Sequence, residues 1–599
     1  MPVILTQPES PLARAGIPRF RPWRSARIGY TVALVALIVG VPLFLAMPPW
    51  NDVTLYDVAA RNILRGGVHY RDVFDTNLPG IDWIMAGVRF VFGWSYEALR
   101  AFDLIVVGTT CALLRSWIRN AGGTAASAAW FIAGMALFYP FTSEFCHCQR
   151  DPWMLLPAVI AARLRLRAVY AARFRTSVLE GFIWGLAVWI KPHVLIPAAC
   201  VWLTSLVLAT HRNRAVDLLG LLIGGVLAGI PGVIWLHESG AWPYFLDIFT
   251  NWNPEYTAQT WSELPQRLRN GLDFFPPLGL VHLAALPLAV HNLWRSRKNP
   301  NPEYTSSALL SALYLGWLAQ AVIIQRGFDY ARLPDTILAL TVISSRGWSV
   351  GCVYLAWIVV VGGLLNLIDV IPGATPLVRA IEPNVRCLRF EKHAMLDPAV
   401  LELWPRCWRE GGSPELRDKL GWYVNVHCGT KWTDLEGVAG YLRTVEPPLR
   451  DRELTCWHDS THPLYLMLDV KPSTRYMHFG TVFPLRGKVD EIRLEVADSP
   501  QRYVVSDLRR MTYSLDEAYA PGMDGPNSLP AWFPRSQCDQ FPWDQPIVFR
   551  SGRYLVHRVA HPPRPEMIDI PDWNTLDDLG PGIGDLMHKK WRTGWRDPD

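Results

Sequence analysis

Within the first 370 residues of a 599-residue chain that is half hydrophobic, short polar segments separate long apolar stretches. The first segment, residues 50–83, contains several carboxylates, and the second, residues 143–153, contains the adjacent Arg150 and Asp151. A carboxylate can act as a general base, and a cation can stabilise a departing phosphate. The two segments together therefore predict a polar reaction site.

Two further polar corners interrupt apolar stretches, Lys191-Pro192-His193 and residues 325–332. Their cations suit a phosphate, whereas the carboxylates of the first segment suit acid–base chemistry or a divalent metal ion, so a metal cofactor stays open. The catalytic candidates are Asp52 and Asp151. The candidates for binding substrate or phosphate are Arg71, Arg150, Lys191, His193, Arg326 and Tyr330. Further candidates are Tyr56, Asp57, Tyr70 and Asn77.

Several of these residues also have simple structural explanations. Asp52 stands where it can cap a helix predicted over residues 54–64, which Gly66-Gly67 ends. Asp57 fits the solvated face of that helix, and Arg150 with Asp151 fits anchoring at a membrane boundary. Cys146-His147-Cys148 is a poor chelate without a second pair of ligands.

The elements that position these residues follow from hydropathy. A membrane span needs about 20 mostly apolar residues, and stretches of this kind alternate with short polar breaks up to about residue 370. The sequence predicts a polytopic α-helical membrane protein with about eleven spans. They are residues 29–47, 98–118, 122–141, 152–170, 176–190, 193–210, 215–236, 274–294, 306–324, 332–345 and 347–370.

Clusters of Arg and Lys mark cytoplasmic loops, and here they occupy alternate connections, including residues 163–175. This pattern predicts a cytoplasmic segment 1–28, an uncleaved first span and an extracytoplasmic C-terminus. It also favours residues 80–93, which contain Asp82 and Arg89, as an amphipathic helix at the outer interface rather than a span. The expected location is the cell (inner) membrane.

No stretch beyond residue 371 is apolar enough to span, so residues 371–599 are predicted to form an extracytoplasmic α/β domain. Its predicted strands are residues 453–457, 491–496, 503–506 and 553–559, with a short helix over residues 462–468. The net charge of +5 is modest, and no nucleic-acid partner is expected.

The order of these features resembles the family C glycosyltransferases, above all the bacterial protein mannosyltransferase-like and aminoarabinose transferase-like members. The shared pattern is an Asp opening an amphipathic helix, a Gly stop, a Tyr, a Pro before an interfacial helix ending in Phe-Gly, and an Arg. Asp52 with Tyr56 matches an Asp-x-x-x-Tyr pattern, and Asp151-Pro152 matches an acidic start of a span. The remaining matches are Gly66-Gly67, Tyr70, Pro79, Phe92-Gly93 and Arg100.

This resemblance implies an inverting hexosyl- or pentosyltransferase that takes its sugar from a polyprenyl phosphate in the membrane. It implies a lipid, glycan or protein acceptor on the extracytoplasmic side, Asp52 as the catalytic carboxylate and Asp151 as a second acidic position. Relatives often have a Lys before the Pro of the first loop that contacts the donor phosphate, but Asn77-Leu78 precedes Pro79 here. The phosphate contact is then expected from Arg71, Arg150, Lys191 or Arg326.

Two other classes of protein compete with this interpretation. A secondary transporter or lipid flippase is expected to have paired hydrophobic halves and polar residues at the bilayer midplane, whereas the ionisable residues here cluster at the outer ends. A non-catalytic envelope assembly protein would leave the carboxylate-rich first loop without a role.

Overall fold

The computed structural model describes a long helical region followed by a smaller mixed region. It covers residues 22–170, 173–209, 213–262, 264–299, 301–325, 327–370, 393–421, 429–477, 479, 486–512 and 515–568. The helices of the first region are α1 (Pro22–Ala46), α2 (Asn51–Leu64), α3 (Gly80–Phe92), α4 (Tyr96–Asn120), α5 (Ala125–Phe138), α6 (Arg150–Ala168), α7 (Phe174–Ile190), α8 (Leu195–Leu208), α9 (Arg214–Glu238), α10 (Trp242–Asp247), α11 (Asn253–Ser262), α12 (Leu264–Arg269), α13 (Val281–Lys298), α14 (Pro302–Ala319), α15 (Asp329–Ser344) and α16 (Val350–Val370).

Four of the described helices are long and apolar enough to cross a bilayer, so the chain is an integral membrane protein. They are Ser25–Ala46, Tyr96–Asn120, Arg214–Glu238 and Pro302–Ile324. Each of the predicted spans overlaps a helix, although α13 begins seven residues after the predicted start of its span and several helices are shorter than the bilayer requires. The number of spans and their orientation stay predictions.

Close helix contacts in this bundle depend on small residues. α7 and α9 approach so closely that a Cβ at Gly181 would lie 2.1 Å from the Leu221 carbonyl oxygen, and one at Gly224 would lie 2.0 Å from that of Val178. Small residues are typical of helix interfaces in membranes because they let the backbones pack directly. A buried Arg165 joins the same pair of helices to α6 through Glu180 and Asp217.

The first long loop, residues 50–83, is partly helical, but the start of its helix differs from the prediction. α2 begins at Asn51, and its N-cap position is occupied by Trp50, so Asp52 lies in the first turn and does not cap the helix. The cap interpretation of Asp52 is therefore wrong. Asp57 is fully buried rather than solvated, because it forms an ion pair with Arg89 of α3. The end of α2 before Gly66 agrees with the prediction.

The C-terminal segment, residues 393–568, contains helices around a four-stranded sheet of order β1-β2-β4-β3. β1 pairs parallel with β2, and the other pairs are antiparallel. The strands are β1 (Leu454–Cys456), β2 (Tyr503–Asp507), β3 (Ile547–Ser551) and β4 (Tyr554–Arg558). The helices are α17 (Pro398–Glu410), α18 (Pro414–Leu420), α19 (Trp432–Arg443), α20 (Pro463–Met467), α21 (Val489–Asp498) and α22 (Leu515–Tyr519).

One predicted strand is wrong and one strand was missed. Residues 491–496 alternate polar and apolar side chains, which predicts a strand, but they belong to α21. Ile492 and Val496 are both buried there, and their spacing of four places them on one helical face. β3 was not predicted, because its side chains are only half-buried and its sequence lacks a marked alternation.

α2 packs between the bundle and the C-terminal segment. Leu55, Val58 and Ala59 share a core with Leu435, Leu464 and other residues around the sheet. Arg61 adds hydrogen bonds to the carbonyl oxygens of Tyr465 and Val470 at 2.6 and 2.9 Å. The C-terminal segment therefore lies on the same side of the bundle as the first loop.

Candidate active site between α2, α6 and the end of α7

Lys191 is the centre of a buried polar cluster. It follows the last residue of α7, and its Nζ donates to both carboxylate oxygens of Asp151 at 3.0 and 2.9 Å. Nζ also donates to the Gln325 side-chain oxygen. Burial lowers the pKa of Lys191 to about 8, and Asp151 opposes that shift. We call Asp52, Tyr56, Arg150, Asp151 and Lys191 the Lys191 cluster.

Arg150 contributes a second cation at the first turn of α6. Its side chain is 7% exposed, and its guanidinium lies over the ring of Tyr56 at 5.9 Å. Within the part of the chain that the structure describes, no carboxylate forms an ion pair with Arg150, and its Nε has no hydrogen-bond acceptor. Burying a charge without a partner is costly, so such a group is a candidate for binding an anion.

α2 contributes Asp52 and Tyr56 to the cluster, and these two residues are one helical turn apart. Asp52 is half-buried and acts electrostatically on both Lys191 and Tyr56. Tyr56 is buried, and that burial raises the pKa of its phenol well above the ordinary value. Since Asp151 is bonded to the same ammonium group, the structure brings together two carboxylates that are separated by about 100 residues in sequence.

The rest of the first loop supports α2 and adds a third carboxylate. Asp75 accepts from the backbone N–H of Asn77 at 3.0 Å, and Tyr70 donates to the Asn77 carbonyl oxygen at 2.7 Å. Asp75 is 5% exposed and acts electrostatically on Arg150. Burial, followed by the charge of Asp82, raises the pKa of Asp75 to about 6. Tyr70 and Asn77 thus hold the loop in place.

The remaining predicted residues divide between this cluster and other places. His193 and Tyr330 lie beside it: His193 is half-buried close to Lys191, and Tyr330 packs against Phe145 near Arg150. Arg71 does not join them, because it is half-exposed and pairs with Asp72 at 2.7 Å. Arg326 lies outside the described residues.

Three residues next to the cluster were not among the sequence candidates. Asp75 is one, and Asp82 of α3 is another, buried and 3.3 Å from His69. Gln325 is the third, and it accepts from Lys191. Asp82 carried a usable signal, since a carboxylate on a largely apolar helix needs a partner. Gln325 carried none, because its role depends on a corner more than 130 residues away from Lys191.

Asp151 is not free to hold a divalent metal ion. Both oxygens of Asp151 already accept from Lys191. Among the described residues no group of three or more His, Cys, Asp or Glu side chains is arranged to hold a metal. His147 of the Cys-His-Cys segment is instead buried and bonded to Arg100 at 3.0 Å. No chemical step is therefore assigned to a metal.

Comparison with known proteins identifies a class of enzyme. Residues 91–321 match the model of glycosyltransferase family 87, a segment that includes Arg150, Asp151 and Lys191 but not Asp52. This match confirms the predicted resemblance to a membrane glycosyltransferase and the predicted type of enzyme. No curated protein matches the chain.

The chain is also similar to solved structures. ArnT from Cupriavidus metallidurans, bound to undecaprenyl phosphate, is 14% identical with a TM-score of 0.48, covering 89% of this chain and 97% of that one. The archaeal oligosaccharyltransferase AglB from Archaeoglobus fulgidus, in complex with an inhibitory peptide and a dolichol-phosphate, is 12% identical with a TM-score of 0.42, covering 84% and 73%.

Proposed function

We propose that the chain transfers a sugar from a polyprenyl-phosphate donor to an extracytoplasmic acceptor, with inversion at the anomeric carbon, and that the Lys191 cluster is the site of transfer. The observation that carries this proposal is the buried guanidinium of Arg150, which has no ion pair among the described residues and lies next to Lys191 in the same cluster as Asp52. An anion that enters the cluster would supply the partner that Arg150 lacks. The leaving phosphate of a lipid-linked sugar is such an anion.

Each step of the reaction has a candidate group. Asp52 removes the proton of the acceptor hydroxyl as its oxygen attacks the anomeric carbon. The bond between that carbon and the phosphate oxygen breaks, and the phosphate leaves with the electron pair. Arg150 and Lys191 stabilise its charge. A single displacement of this kind inverts the anomeric carbon.

The sequence made Asp151 a second catalytic candidate, but in this proposal it has a positioning role. With both oxygens bonded to Lys191, it is a positioning residue that holds the ammonium group toward the phosphate, rather than a second base. Its charge also offsets the loss of hydration that a buried Lys suffers. The donor's hydrocarbon tail can stay in the lipid while its head reaches the cluster at the outer ends of the helices.

The topology proposed with this function places the C-terminus outside. The packing of α2 against the C-terminal segment supports a common side for the two. Two segments lie on the same side of a membrane when an even number of spans separates them. Ten predicted spans separate α2 from the C-terminal segment, which agrees with this requirement. With the N-terminus in the cytoplasm, the Lys191 cluster opens to the extracytoplasmic side.

The test is a product analysis with the purified full-length chain in lipid nanodiscs. Polyprenyl phosphates carrying different labelled sugars are supplied together with an envelope extract as the source of acceptor. We expect that one of the donors gives labelled product and free polyprenyl phosphate in equal amounts. The same chain in sealed vesicles provides a second assay. Movement of an intact donor across the vesicle membrane, with no cleavage in the nanodisc assay, would favour a lipid flippase and overturn the proposal.

A further inference from the structure

A second polar cavity lies between α2 and the C-terminal segment, separate from the Lys191 cluster. Its volume is about 530 Å³. Two acidic side chains, Asp72 and Glu495, line it together with six cationic ones. We call it the basic groove. Its cations are Arg61, Arg65, Arg71, Arg452, Lys471 and Arg475.

The carboxylates around the groove do not neutralise all of these cations. Arg61 and Arg65 share the one carboxylate of Asp469. Arg71 and Arg475 have acidic partners of their own. Within the described part of the chain, Arg452 and Lys471 have no ion pair. The groove therefore keeps a positive charge, which concentrates anions in a concave space.

The backbone holds one of the two unpaired cations in a strained conformation. Arg452 has φ of +66°, a region that side chains other than Gly seldom adopt. Its N–H donates to the Lys471 carbonyl oxygen at 3.0 Å, which ties the two cationic residues together. Its Nη2 lies 3.5 Å from the carbonyl oxygen of Ser473, another lining residue. Strain of this kind is commonly found at binding sites.

We propose that the basic groove binds a phosphate-bearing group, and that this group belongs to the acceptor; the second part rests on the proposed function. α2 connects the two sites, since Asp52 stands near its start and Arg61 lines the groove. Asp52 and Arg61 are nine residues apart on this helix, which corresponds to roughly 14 Å along its axis. An acceptor of a few sugar units with its phosphate in the groove can reach that far, so its hydroxyl would lie near Asp52.

The test measures phosphate binding without any transfer reaction. The full-length chain in phosphatidylcholine nanodiscs is treated with an amine-acetylating reagent, and the modification of Lys471 is followed by peptide mass spectrometry. Lys431, which is partly exposed and paired with Asp418 away from the groove, is the internal control. Pyrophosphate is expected to slow the modification of Lys471 but not that of Lys431.

The variant that tests the groove is Arg452→Asn, because Asn tolerates the left-handed backbone while removing the charge. It should weaken protection by pyrophosphate about tenfold or more, the effect of losing one charged hydrogen bond. Arg450→Asn, at an exposed arginine two residues away that does not line the groove, should leave protection unchanged. Absence of protection in the native chain, or equal protection in Arg452→Asn, overturns the proposal.

Two further experiments identify the source of the phosphate and show whether its binding depends on catalysis. Protection in phosphatidylglycerol nanodiscs without added pyrophosphate would assign the phosphate to a lipid headgroup, and binding at the groove would still stand. An inactive Asp52→Asn chain should still show protection, so failure of transfer and failure of binding can be told apart. In transfer assays Arg452→Asn should raise KM for the acceptor about tenfold with kcat unchanged.

Discussion

Removal of the Arg150 guanidinium should separate binding from stability. In Arg150→Met an apolar side chain of similar length replaces a buried charge that forms no ion pair within the described part of the chain. Arg150 gains from the ring of Tyr56, about 0.5–2 kcal/mol for a cation–π contact, and from the nearby charges of Asp75 and Asp151. The desolvation of an unpaired ion costs several kcal/mol in the other direction. The free energy of unfolding should therefore stay within about 1 kcal/mol of the native value or rise.

The same substitution should remove much of the affinity for the donor. A guanidinium can donate two charge-assisted hydrogen bonds to one phosphate, each contributing about 1.5–3 kcal/mol. Their sum, about 3–6 kcal/mol, corresponds to a loss of about 10²–10⁴-fold in affinity. The assay is binding of a polyprenyl-phosphate sugar to the purified chain, together with thermal unfolding in the same detergent.

Arg89→Met is the matched control, since Arg89 is equally buried but has an ion pair with Asp57. Breaking that pair leaves a buried carboxylate and should cost about 3–5 kcal/mol of stability. If Arg150→Met is destabilised as strongly as Arg89→Met, or binds the donor as the native chain does, Arg150 is a structural residue and the reasoning is wrong.

Three other predictions follow from the charges and the topology. Burial raises the pKa of Asp75 to about 6, so near that pH the folded chain binds a proton that the unfolded chain releases. The free energy of unfolding should therefore increase as pH falls from about 7 to 5. Thermal unfolding of Asp75→Asn should not show this dependence on pH. Because the pKa of Lys191 is about 8, this side chain loses its charge as pH rises through that value, and the affinity for the donor should fall. In Lys191→Arg the charge is kept, so the affinity measured over the same pH range should not fall. In intact cells, a cysteine at the exposed Asp524 should react with an impermeant thiol reagent and one at the exposed Arg173 should not; the reverse pattern would contradict the proposed orientation.

Hydropathy predicted the helices well, because a bilayer imposes one length and one composition on every span. The same reasoning failed inside the first loop. Asp57 looked solvated since its partner, Arg89, lies in another helix, and a pair across two helices leaves no pattern in either. Residues 491–496 failed because six residues fit both a strand and a helix, and packing decided between them.

The candidate site was predicted in part. Polar residues at the ends of spans pointed to Arg150, Asp151 and Lys191, and these do lie together. What the sequence could not give was their pairing: Asp151 and Lys191 are bonded to each other, while Arg150 forms no ion pair with a carboxylate among the described residues. Those relations depend on the angles at which α6 and α7 meet, and they determine which groups are available to a substrate.

The central claim is that Asp52 is the base for glycosyl transfer, and Asp52→Asn tests it most directly. Asn is close to Asp in size, and Asp52 does not cap α2, so the variant should fold with nearly native stability. Asn cannot accept the acceptor's proton. We predict that kcat for sugar transfer falls on the order of a hundredfold or more while donor affinity is kept. Near-native kcat in a stably folded Asp52→Asn chain would contradict the account.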